Sequence, residues 1–153
     1  MIAYLSGPIE NAHNDGADWR VKMTDWLKSE LNHKVFNPVI ETKSIIKNVK
    51  GSDFRLLKKT NPDEYREIIR KIISVDLEAV VKHADYLIVK WDTSVFRGGG
   101  THGEVTMAYW LGKPVYLVNS LPIDDISSWI FSCSEEIFDD FKSLKKRLEK
   151  IYC

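Results

Sequence analysis

At 153 residues, with 44% hydrophobic and 29% charged residues, the chain has the make-up of one soluble globular domain spanning 1–153 with a sizeable core. Lysine plus arginine and aspartate plus glutamate both number 22, and the formal net charge of zero argues against a stable nucleic-acid binder or a membrane-surface protein. The opening "MIAYLSGPIE" has neither a basic segment nor a long apolar core, so no secretory leader or membrane anchor is expected. Cys133 and Cys153 have no second pair and no histidine at ligand spacing, so no disulfide framework or zinc site is expected, and a reduced cytoplasmic compartment is the default.

Along the chain, Ile2 to Leu5 reads as a short buried strand that ends at "SGP". "DWRVKMTDWLKSEL" then places Trp19, Met23, Trp26, Leu27 and Leu31 on one helical face. "KVFNPV" reads as a second strand, stopped at Pro38. Residues 41–61 read as a long polar, irregular connection, the kind that serves as a lid or binding loop. Its basic run, Lys43, Lys47, Lys50, Arg55, Lys58 and Lys59, reads as a solvated surface. Asn61-Pro62 opens a helix to about His83, with Ile69, Ile72, Ile73, Val80 and Val81 on its core side. "DYLIVKW" is apolar on both faces, as a central parallel strand is. After the glycine run, a helix from His102 to Leu111 is capped by Gly112, and "PVYLVN" forms the next strand. "EEIFDD" reads as a short strand and "FKSLKKRLEKIY" as a terminal amphipathic helix.

This alternation predicts a doubly wound α/β fold of the flavodoxin or Rossmann-like kind, with a mostly parallel sheet of about five strands. Ligands of such sheets sit outside the carboxyl ends of the strands, near the switch in strand order. The site is therefore sought among "SGPIEN", "DTSVFRGGG" and "NSLPIDD". Gly7 in the first loop and Asp92, Gly100 and Thr101 in and after the second are the candidate substrate contacts.

Glu104 has two readings. Thr101-His102-Gly103-Glu104 matches a capping box, in which the glutamate only holds a helix end. Against this, Gly103 costs a first helical turn about 0.5–1 kcal/mol, and Gly98, Gly99 and Gly100 clear the mouth of a cleft for a close-fitting ligand. A carboxylate there suits a nucleophile. Asp76 shares a helical face with Ile69, Ile73 and Val80, where an acid is costly unless it is paired or faces a cleft. Asp85, at the start of the central strand, reads as a turn or cap residue.

Three stretches, "YLSGPI", "DLEAVVKHADYLIV" and "GTHGEVTMAYWLGKPVYLV", resemble the nucleoside 2-deoxyribosyltransferase family in order and spacing. The resemblance implies that Glu104 is the nucleophile, that Tyr4 orients it, and that Asp76 acts near the base. It further implies a homo-oligomer whose pocket is shared between subunits, with Asp124 or Asp125 reaching a neighbour's sugar at its 5′ end. The substrates would be nucleosides and nucleobases, with 2-deoxyribose passed between bases through a covalent glycosyl-glutamate and no metal or redox cofactor. Hydrolysis of a nucleoside or its 5′-monophosphate, and nucleotide binding without catalysis, remain as alternatives. Relatives that act on 5′-monophosphates carry a basic residue where this chain has Glu10 and a serine where it has Gly98, so a free 5′-hydroxyl is expected.

Overall fold

Five short apolar runs form one sheet: β1 (Ile2–Ser6), β2 (Lys34–Phe36), β3 (Tyr86–Trp91), β4 (Val115–Asn119) and β5 (Glu136–Phe138). The computed structural model describes residues 1–47 and 54–153. Every neighbouring pair is parallel, in the order β2-β1-β3-β4-β5. The helices are α1 (Ala17–Leu31), α2 (Pro38–Glu41), α3 (Lys43–Lys47), α4 (Leu57–Thr60), α5 (Pro62–Glu78), α6 (Gly100–Trp110), α7 (Ser128–Cys133) and α8 (Phe141–Tyr152). This is the doubly wound flavodoxin-like arrangement expected from the alternation of elements.

The period of two along each strand sends alternate side chains to opposite helical layers. Ala3 and Leu5 of β1, with Tyr86 and Ile88 of β3, pack on Met23 and Leu27 of α1 and on Leu144 and Leu148 of α8. Tyr4, Leu87, Val89 and Trp91 face the other way, against Val80, Val105 and Ala108 and, through α7, Ile130. Tyr4 and Ser6 share a strand parity, so both project toward the layer that holds α6.

Several elements differ from the sequence reading. Pro38 opens α2 instead of merely ending a strand, because Asn37 caps that helix by accepting from the Val39 amide at 3.1 Å. The described part of 41–61 is largely helical: α3, a 3₁₀ turn at Phe54–Leu56, and α4. Lys50 of the basic run lies outside the described residues; Lys43, Lys47, Lys58 and Lys59 are exposed. Asn61-Pro62 does open α5, and a π-helical turn at Ala79–His83 completes it. Carbonyls of that last turn and of Ala84 just beyond it receive the Lys113 ammonium, at 2.6 Å from Val80, 2.9 Å from Val81 and 2.7 Å from Ala84. Ile73 and Val81, expected in the core, are exposed, and Ile130 is buried between the exposed Trp129 and Phe131.

Candidate active site

β1 is flanked by β2 on one side and β3 on the other, so the chain leaving β1 and the chain leaving β3 diverge. The crevice between them is where ligands of such sheets bind. A cleft of about 290 Å³ occupies it. Its walls are Gly7 to Glu10 after β1, Ser94, Val95 and Gly98 to Thr101 after β3, Ile69, Ile72, Ile73 and Asp76 of α5, and Thr42, Ile46, Phe54 and Arg55 of the helical segment above it. The apolar stripe of α5 thus turns partly toward the cleft, which is why Ile73 is not in the core. The third loop, "NSLPIDD", stays away, because Asn119 folds it back by bonding the Leu121 carbonyl at 2.6 Å and its amide at 3.1 Å.

Glu104 lies at the inner end of the cleft and is 9% exposed. It caps nothing. The helix begins at Gly100, and Gly99 precedes it without a side-chain cap, which puts Glu104 in the second turn and Thr101 inside the first. The capping-box reading fails because the carboxylate is claimed by β1. The Tyr4 hydroxyl donates to Oε1 at 2.8 Å, and the Ser6 hydroxyl donates to Oε2 in a short hydrogen bond. Burial pushes the Glu104 carboxyl above its usual range, and the two hydroxyls and the nearby Arg20 charge oppose that rise. In return, burial and the Glu104 charge raise the Tyr4 phenol, so it remains a donor at any physiological pH.

Asp76 lies on the cleft wall with Oδ1 buried and without a hydrogen-bond partner among the described residues. Burial, with the Glu104 charge adding to it, pushes its pKa up to about 7. Both carboxyl groups of the cleft are thus held above the usual carboxylate range by burial, and each one's charge weighs on the other's proton.

Of the candidate substrate contacts, Gly7, Gly100 and Thr101 line the cleft and Asp92 does not. Asp92 instead caps the 3₁₀ turn Thr93–Arg97 through the Ser94 amide at 2.9 Å and pairs with Lys90 at 3.2 Å. Asp124 and Asp125 are exposed, away from the cleft of their own chain. Asp85 accepts the Ile2 amide at 2.6 Å, which ties the starts of β1 and β3 together instead of capping a turn or helix. Ser6 and Arg20 were missed. Both were accessible to pattern: Ser6 is two residues from Tyr4 on a strand, and Arg20 is three and seven residues before Met23 and Leu27 on the buried face of α1. Among the described residues, no group of three or more His, Cys, Asp or Glu is placed to hold a metal ion, and no helix is long and apolar enough to cross a membrane.

No family model and no curated protein sequence matches the chain. Solved structures do. A 2-deoxyribosyltransferase from the psychrotolerant bacterium Bacillus psychrosaccharolyticus superposes with a TM-score of 0.63 and 24% identity, covering 95% of this chain and 90% of that one. A 2-desoxiribosyltransferase from Leishmania mexicana gives a TM-score of 0.60 and 14% identity, covering 99% of each chain. Over nearly its whole length, the chain is similar in fold to these two proteins.

Proposed function

We propose that the protein cleaves the N-glycosidic bond of nucleosides and passes 2-deoxyribose from one nucleobase to another. The observation that carries this reading is the Glu104 carboxylate, held by Tyr4 and Ser6 at the inner end of a cleft instead of capping its own helix. Cleavage of such a bond passes through an oxocarbenium-like state, which an adjacent carboxylate stabilises and then traps. Glu104 forms a bond to C1′ as the bond from C1′ to the base nitrogen breaks. Neutral Asp76 gives its proton to the departing base. A second base then attacks C1′, releases Glu104 and returns the proton to Asp76. The likeness in fold to two deoxyribosyltransferases, and the "GTHGE" stretch that carries Glu104, support the reading.

The active form is a homo-oligomer of soluble chains. Trp129 and Phe131 of α7 and Trp110 of α6 are 66%, 51% and 81% exposed, and a neighbouring subunit covers them. That neighbour brings Asp124 or Asp125 to the 5′ end of the sugar.

The test is incubation with a panel of deoxynucleosides, ribonucleosides, 5′-monophosphates and NAD, with and without a second base, followed by chromatography of free and exchanged bases. Exchange of bases on deoxyribose is expected. Release of base without exchange makes water the acceptor and the protein a hydrolase. No release from any substrate, or full turnover by Glu104→Ala, would overturn the mechanism.

A further inference from the structure

Arg20 is a buried cation on the apolar face of α1, with none of its surface exposed. All its hydrogen bonds go to neutral carbonyls: Nε to Leu5 at 3.2 Å, Nη2 to Gly7 at 2.7 Å, and Nη1 to Gly16 at 2.9 Å and Pro8 at 3.5 Å. None of the ion pairs among the described residues includes it. Its guanidinium also lies 4.8 Å from the Trp19 ring centroid. A leucine or methionine would fill the stripe of α1 without the cost of a buried charge. The carbonyls explain a donor at this position. They do not explain a full positive charge.

The balancing charge lies across β1. The chain from Leu5 to Pro8, which Arg20 holds by three carbonyls, carries the Ser6 hydroxyl to Glu104 and sets Gly7 on the cleft wall. The ionisable groups facing Glu104 are Tyr4 from β1, Asp76 from α5 and Arg20 from α1. The Arg20 charge favours the ionised form of both carboxyls, and its hydrogen-bonded turn reaches Glu104 through Ser6.

We infer that Arg20 is a positioning residue for Glu104, fixing the turn that carries Ser6 to its carboxylate and placing a positive charge behind that turn. Burial lowers the guanidinium only to about 10, so the charge persists at neutral pH. The inference deepens the function proposed above and rests on it for its catalytic meaning, but the charge on Glu104 is measurable without turnover.

The experiment follows the Glu104 carboxyl carbon by NMR titration of protein labelled with ¹³C at glutamate Cδ, the resonance being assigned as the one lost in Glu104→Gln. In Arg20→Met the midpoint is expected to rise by about one pH unit or more. In Arg20→Lys, which keeps the charge, it should stay within about half a unit of the original, while kcat falls about tenfold with KM unchanged. One ammonium cannot reach all the carbonyls that a planar guanidinium spans. An unmoved midpoint in folded Arg20→Met would overturn the inference, whether or not the protein turns over nucleosides. Should Arg20→Met fail to fold, Arg20→Lys decides: an unmoved midpoint with reduced kcat supports the inference, and a raised midpoint or full kcat overturns it. A protein with no activity on any nucleoside but with the expected titration shifts would sink the proposed reaction and leave the role of Arg20 standing.

Discussion

Tyr4 and Glu104 stand 100 positions apart in the chain, and the Tyr4 hydroxyl donates to Glu104 Oε1 at 2.8 Å. A strand parity and a helix turn meet at this bond, and it takes Glu104 away from its own helix end. A hydrogen bond to the charged form of an acid favours that form, so removing it raises the pKa. In Tyr4→Phe the ascending limb of the pH–rate profile should therefore move to higher pH, and the rate at pH 7 should fall about 10- to 100-fold. Ser6→Ala should act in the same direction through Oε2. Because both hydroxyls serve one carboxylate, the double variant should lose less than the product of the two single losses. An ascending limb that stays in place in both single variants would show that the hydroxyls do not tune Glu104.

Asp76 should leave its mark on stability as well as on rate. Its folded pKa of about 7 is raised above the unfolded carboxyl value, so the folded state holds a proton that the unfolded state gives up. Stability from this group is complete below about pH 4 and is lost as pH rises toward 7 and beyond. Asp76→Asn removes that loss and should be more stable than the original at pH 8, on the order of 1–3 kcal/mol, with little difference at pH 4. It should also lower turnover and erase a descending limb near pH 7, since an amide has no proton to give the leaving base. Melting temperatures across pH, with a rate profile for each protein, check both halves.

Much of this arrangement was legible in the sequence. The strand and helix alternation contained the sheet, because parallel connections of one hand leave few topologies open. Asp76 declared itself as an acid at an apolar position. The capping box misled because Thr101 to Glu104 fits the motif locally, and only the arrival of Tyr4 and Ser6 from a strand far away in sequence shows who bonds the carboxylate. The region 41–61 hid its helices because α3 has five residues and α4 four, too few for a helical period to emerge. Asp92 looked functional because it ends the central strand, yet the amide of Ser94 and the ammonium of Lys90 engage it.

Two glycines should respond to alanine in opposite ways. A methyl group on Gly16 would come within 2.5 Å of both Arg20 Nη1 and the Pro8 carbonyl oxygen, at a backbone φ of +68°. Gly16→Ala should lose about 1–3 kcal/mol and much of the activity, because the displaced carbonyl belongs to the turn on the cleft wall. Gly103 has open space where a methyl would go and sits inside α6. Gly103→Ala should gain up to about 1 kcal/mol from helix propensity alone. Thermal unfolding of both variants checks the contrast; a stable Gly16→Ala would show that the turn tolerates rearrangement.

The sugar's 5′ end should carry a free hydroxyl and not a phosphate. The cleft wall bears three acids, Glu10, Asp76 and Glu104, and among the described residues the one lysine or arginine on it is Arg55. The Arg55 guanidinium is bonded to Asp15 at 3.0 Å, so its charge is already shared with a carboxylate from the first loop. Glu10 lies just past the turn at Gly7 and Pro8, on the same wall. A dianion brought against the Glu10 and Glu104 carboxylates meets like charge at close range, which costs several kcal/mol when partly desolvated. A 5′-hydroxyl can instead donate a hydrogen bond to a carboxylate. Asp124 and Asp125 add to this bias if a second subunit presents them. The kcat/KM for a deoxynucleoside should exceed that for its 5′-monophosphate by about tenfold or more, and Glu10→Lys should narrow the gap. If the monophosphate is preferred and Arg55→Ala abolishes that preference, Arg55 leaves Asp15 to bind phosphate and the expectation of a free hydroxyl is wrong.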